Sequence, residues 1–127
     1  MDIRSVEPDL TIPKLETGQP DIGKRVKQTI PDYEQTGVYH VTYLPTDWVK
    51  GKRYPVLIEY AGNNHRGAYG DISTGRPEGS NMGYGISGGR GFIWVCLPYL
   101  NAAGDDIALT WWGDSKNRTA RPTLDYC

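Results

Sequence analysis

A serine lies among closely spaced glycines in the run Gly85-Ile86-Ser87-Gly88-Gly89, which matches the G-x-S-x-G pattern of nucleophilic serines. In that chemistry the hydroxyl attacks an acyl carbon while a histidine takes its proton. The serine must leave a strand and enter a helix, because the strained turn lifts its hydroxyl above the sheet. Here a glycine-rich stretch precedes Ser87, and the apolar run at 92–97 follows it. Because this order is reversed, we interpret Ser87 as a turn residue.

Two histidines, at positions 40 and 65, are the candidate bases for a nucleophile. His40 lies within a run of strand-forming residues, which favours cross-strand or surface packing over catalysis. His65 follows the next apolar strand, in a loop of the kind that often contacts ligands. We name His65 as a candidate substrate-binding residue, with a solvated loop histidine as the alternative.

Three aromatic side chains in the last third of the chain are candidates for a ligand-binding wall. They are Tyr99, Trp111 and Trp112. Aromatic faces stack against acyl chains and sugar rings, which suits such a wall. The alternative is that these large side chains pin a long loop to the sheet.

The overall composition narrows the class of protein. Fourteen basic and 15 acidic side chains among 127 residues give a formal net charge of −1, and no basic run argues for a nucleic-acid partner. No apolar run approaches the roughly 20 residues of a membrane helix, and no signal region is visible, so we expect a soluble chain of unknown compartment. Cys96 and Cys127 fit no zinc spacing, and we expect no metal and no cofactor.

From the N-terminal half of the sequence we predict an extended lead-in followed by two strands. Residues 1–35 lack apolar periodicity and predict an extended lead-in, and residues 36–127 are predicted to form one partial domain. Tyr39, Val41 and Tyr43 alternate onto one face of a strand. The apolar run at 56–58 is typical of a strand covered on both faces.

From the C-terminal half of the sequence we predict a long loop, one more strand and the start of a helix. Residues 61–90 hold nine of the 16 glycines, which disfavours a long helix and predicts a structured loop. The run at 92–97 is a second strand of the covered type, with Cys96 as a small core residue. Pro122 is placed where a first helical turn begins.

Two stretches resemble the N-terminal part of α/β-hydrolase esterases. They are VYHVTYLPTDWVKGKRYPVLIEYAGN, residues 38–63, and GFIWVCLPYL, residues 91–100, and they agree with the family in order, spacing and strand character. The resemblance covers about residues 36–100. It implies an α/β fold, the N-terminal part of an α/β-hydrolase sheet with about three strands, long glycine-rich loops and little helix, incomplete as a domain.

The same resemblance implies serine acyl transfer on ester or related acyl bonds. In that family the loop after the first covered strand donates a backbone N–H to the oxyanion hole, and Asn63 and Asn64 occupy the matching loop. An asparagine-rich turn with local hydrogen bonds is the alternative. The triad is expected beyond Cys127. This chain would then line the site for a small acyl or carbohydrate-ester substrate without catalysis of its own.

A second hypothesis comes from the aromatic content of the chain. Nine tyrosines and four tryptophans suit a small β-rich module that binds carbohydrate on aromatic faces. Strands of the covered type disfavour this hypothesis, because a small module has few layers to cover them.

Overall fold

A computed structural model describes residue 2 and residues 5–64, 74–110 and 120–127 of the chain. Its main feature is a five-stranded sheet in the order β1-β2-β3-β5-β4. The strands are β1 (Leu15–Thr17), β2 (Arg25–Gln28), β3 (His40–Tyr43), β4 (Val56–Tyr60) and β5 (Ile93–Leu97). The β2–β3 and β3–β5 pairs are antiparallel, whereas β1–β2 and β4–β5 are parallel.

Smaller elements complete the described part of the chain. A two-stranded antiparallel sheet pairs β6 (Tyr99–Leu100) with β7 (Ile107–Ala108). The helices are α1 (Met82–Ser87), α2 (Ala120–Tyr126) and a 3₁₀ turn at Pro77–Gly79. No helix in the described ranges has the length and apolar character needed to cross a membrane.

The predicted fold class is wrong. In place of the N-terminal part of an α/β-hydrolase sheet with about three strands, the described residues form a mixed five-stranded sheet and a separate two-stranded sheet. This order and this mixture of directions do not give a clear hydrolase-like arrangement. Two of the extra strands, β1 and β2, come from the segment predicted as a lead-in, and β2 pairs with β3 across the boundary at residue 35. The sequence signal of these two strands is weak because both are short and neither carries a repeated apolar alternation.

The apolar alternation predicted for β3 is confirmed. Tyr39, Val41 and Tyr43 are buried on one face of the sheet, in a cluster with Trp94, Cys96 and Ile107. The hydroxyl of Tyr43 donates a hydrogen bond to the carbonyl of Gly89 at 3.0 Å, so the buried phenol is satisfied. This face is the main core, and both α1 and the 3₁₀ turn contact its strands.

The covering predicted for β4 is not found. This strand lies at the edge of the sheet, and Val56, Ile58 and Tyr60 keep 54%, 59% and 39% of their surface exposed. Glu59 points to the opposite face and is buried. A run of apolar residues can build either a covered strand or an edge strand, because the pairing partners decide which of the two forms.

The long loop predicted between β4 and β5 contains regular structure. The six-residue helix α1 is capped after Ser87 by Gly88, whose φ of 58° places it in the left-handed conformation that glycine adopts without steric cost. Its Gly83 packs directly against the indole of Trp94, so the helix sits close to the sheet. The helix predicted at Pro122 is confirmed and begins two residues earlier, at Ala120.

Candidate functional site

Ser87 is the last residue of α1, and β5 follows it after a short turn. A helix therefore leads into this serine and a strand leaves it, the reverse of a nucleophile elbow. Its hydroxyl donates to the carbonyl of Tyr84 at 3.4 Å and accepts from the amide of Gly89 at 3.1 Å. Both contacts are to main-chain groups, as in a helix-ending turn.

His40, the histidine that the structure describes, is a packing residue. Its Nδ1 lies 2.8 Å from the hydroxyl of Tyr126, which anchors α2 on the sheet. Burial lowers the pKa of His40 below its ordinary value of 6.5. The imidazole packs against a phenol of α2, so the contact is between sheet and helix rather than the cross-strand or surface packing favoured from the sequence.

The segment after β4 begins at the carboxyl end of that strand and is held by main-chain hydrogen bonds. The amide of Ala61 donates to the carbonyl of Leu97 at 3.0 Å, and the amide of Asn64 donates to the carbonyl of Leu109 at 2.8 Å. The Asn64 N–H is therefore engaged within the chain, and the predicted oxyanion role of this group would require that bond to break. Asn63 also has an interaction partner. The oxyanion role of Asn63 and Asn64 stays a prediction.

The side chain of Asn64 offers a different polar group. Its Oδ1 is buried and has no hydrogen-bond partner among the described residues. A buried amide oxygen without a donor costs roughly 1–3 kcal/mol, and this oxygen is closed to solvent.

Tyr99 lies at the same end of the sheet and forms a stacked pair with Tyr60. Their ring centroids are 5.3 Å apart and the ring planes differ by 25°. The Tyr60 hydroxyl lies 3.3 Å from Sγ of Cys127, and this hydrogen bond together with burial raises the pKa of Tyr60 to about 12. The phenol therefore stays neutral at physiological pH and presents an aromatic face with a polar tip.

Three candidates from the sequence lie outside the described residues. They are His65, Trp111 and Trp112. Their roles in binding stay predictions. Of the three aromatic residues predicted to form a ligand-binding wall, the structure describes Tyr99. Its stacking partner Tyr60 was not predicted, because the two tyrosines are 39 positions apart in the sequence.

A buried polar cluster, formed by Glu59, Arg25 and Trp94, supports this end of the fold from the other face of the sheet. The carboxylate of Glu59 accepts from the amide of Gly83 at 2.8 Å and from Nε1 of Trp94 at 3.0 Å. Nη2 of Arg25 donates to the carbonyl of Glu78 at 2.8 Å and to that of Ser80 at 3.1 Å. These contacts use both charged groups to fasten the 3₁₀ turn and α1 to the sheet, so we assign the cluster a structural role.

Comparison with protein-family models, with curated proteins and with solved structures found no match to this chain. Within the described ranges no group of three His, Cys, Asp or Glu side chains could hold a metal ion. At the carboxyl ends of β4 and β5 the described residues present the stacked rings of Tyr60 and Tyr99.

Proposed function

We propose that this chain binds a carbohydrate ester, as the substrate-binding part of an acyl hydrolase whose nucleophile is not Ser87. The observation that carries the proposal is the Tyr60–Tyr99 stack beside the segment that follows β4. In open α/β sheets ligands bind outside the carboxyl ends of the parallel strands, and this stack lies at those ends of the parallel pair β4 and β5.

The described groups suit the two halves of such a substrate. Sugar rings and short acyl chains both present C–H groups that pack against aromatic faces, and Tyr60 is 39% exposed. Acyl chemistry is proposed because residues 38–63 and 91–100 resemble esterases in sequence. The strand order of the sheet does not contribute to this part of the proposal.

Nuclear magnetic resonance titration of amide shifts tests the proposal with two probes, acetylated and unacetylated xylotetraose. We expect the acetylated probe to shift the amides of Tyr60, Ala61, Asn64 and Tyr99. Tyr99→Ala should weaken binding about tenfold, or roughly 1.4 kcal/mol, because one stacking face is lost. Ser87→Ala is the matched control and should bind as the parent chain does.

The remaining outcomes separate the alternatives. Equal binding of both probes would replace the acyl proposal with a carbohydrate-binding module, whose favouring observation is the same stacked pair. No shift at Tyr60 and Tyr99 with either probe would overturn both functions. Hydrolysis of p-nitrophenyl acetate that Ser87→Ala abolishes would make Ser87 the nucleophile and contradict the proposal.

A further inference from the structure

The outer side of β4 has main-chain groups that no other described strand pairs with. In the described part of the chain β4 pairs with β5 alone, in parallel register from Val56 opposite Ile93 to Tyr60 opposite Leu97. The carbonyl of Pro55 and the amide of Ala61 both bond to the β5 side. Because the bonding direction alternates along a strand, the N–H and C=O groups of residues 56, 58 and 60 face away from β5.

The side chains of the same residues form an exposed apolar row. Val56 and Ile58 are 54% and 59% exposed, and they share a face with the half-buried Ile93 and Val95 of β5. Natural sheet edges are often protected from pairing by lysine, proline or a bulge within the strand, and β4 has none of these. Its charged residue, Glu59, is buried on the opposite face, so the exposed face of the edge stays apolar. The unpaired edge of β4 and the exposed apolar side chains beside it therefore form one continuous surface on which a further strand could pair.

The size of this surface argues for an extended partner. An interface between two folded copies takes about 20–30 residues from each side, whereas the row on β4 offers Val56, Ile58 and Tyr60 with their β5 neighbours. Strand addition needs less area, because main-chain hydrogen bonds supply affinity and alternate side chains supply specificity.

Charge further defines the partner. Lys50, Lys52 and Arg53 are exposed in the turn segment before β4, while the exposed face of β4 itself carries no charge. A segment laid along β4 would therefore be apolar at alternate positions, with an acidic residue at the end beside these cations.

We propose that β4 is an acceptor edge for an extended polypeptide segment, which bonds to the main-chain groups of Val56, Ile58 and Tyr60 and packs apolar side chains on Val56 and Ile58. The segment adds a sixth strand to the sheet. This role does not depend on the ligand-binding function proposed above, because it uses the strand edge rather than the Tyr60–Tyr99 ring faces.

Fluorescence anisotropy with a labelled synthetic peptide tests the proposal. The probe alternates valine and threonine over eight residues and carries one terminal aspartate, at the N-terminus in one version and at the C-terminus in the other. We expect one version to bind, and Ile58→Lys to weaken it at least tenfold. Val49→Lys is the matched control, because Val49 is also 59% exposed but lies outside the strand.

A second peptide makes the test independent of protein folding. It carries N-methyl groups on alternate amides, which remove main-chain donors and leave the side chains in place, and we expect at least a tenfold loss of binding. Unchanged affinity after N-methylation, or no binding of either aspartate version, would overturn the proposal. A dimer in sedimentation velocity that Ile58→Lys disperses, without peptide binding, would assign the edge to a second copy instead.

Discussion

The carboxylate of Glu59 on β4 accepts a hydrogen bond from the indole of Trp94 on β5 at 3.0 Å, within the buried face of the sheet. The same carboxylate accepts from the first two amides of α1, those of Met82 and Gly83. One side chain thus joins an edge strand, a central strand and a helix.

Replacing Glu59 by leucine should destabilise the chain by about 3 kcal/mol. The change leaves the indole N–H of Trp94 and the amide of Gly83 buried without acceptors, and each unsatisfied donor costs about 1–3 kcal/mol. Urea denaturation followed by tryptophan fluorescence measures the loss. Glu34→Leu, at an exposed position, is the control and should change stability by less than about 0.5 kcal/mol. Equal effects of the two changes would contradict the structural role of Glu59.

Two glycines of the same helix should respond to alanine with opposite signs. A Cβ at Gly83 would overlap the indole of Trp94, so Gly83→Ala should destabilise by about 1–3 kcal/mol. A Cβ at Gly85 meets nothing within 4 Å, so Gly85→Ala should stabilise by about 0.5–1 kcal/mol through helix propensity. Thermal unfolding of both variants measures the difference. A stabilising Gly83→Ala would mean that α1 does not pack on Trp94.

Stability should depend on pH through His40. Burial lowers the pKa of His40 in the folded chain below 6.5, so the unfolded chain binds the proton first. The stabilisation is therefore complete above about pH 6.5 and is lost as the pH falls through the folded pKa. Urea midpoints between pH 5 and pH 8 should fall less steeply for His40→Asn than for the parent chain. Parallel curves would show that His40 does not contribute.

The two cysteines should differ in reactivity. Burial raises the pKa of the Cys96 thiol to about 12, whereas Cys127 is exposed. Because the thiolate is the reactive form, iodoacetamide at pH 8 should label Cys127 within minutes and spare Cys96. Mass spectrometry of the digested chain reports both sites, and labelling in 8 M urea should reach both. Modification of Cys96 in native buffer would contradict its burial.

Local patterns were sufficient for parts of the fold. The alternation of Tyr39, Val41 and Tyr43 defines the buried face of β3, because side chains on a strand alternate between its two sides. Pro122 marks the region of α2, because proline is tolerated in a first helical turn. The glycines around Ser87 contradicted an elbow, because they favour turns over a following helix.

Only the tertiary structure decided which surfaces are covered and which residues meet. Its pairing placed the apolar run of β4 at an edge and buried the charged Glu59, and it stacked Tyr60 on Tyr99. Single-chain patterns do not contain these results, because Glu59 and Trp94 are 35 positions apart and meet only through the β4–β5 register. The type of each residue determined its preference for strand or turn, whereas pairing between distant segments determined which residues lie next to it. The candidate site depends on the second, because Tyr60 and Tyr99 are distant in sequence and meet only in the folded chain.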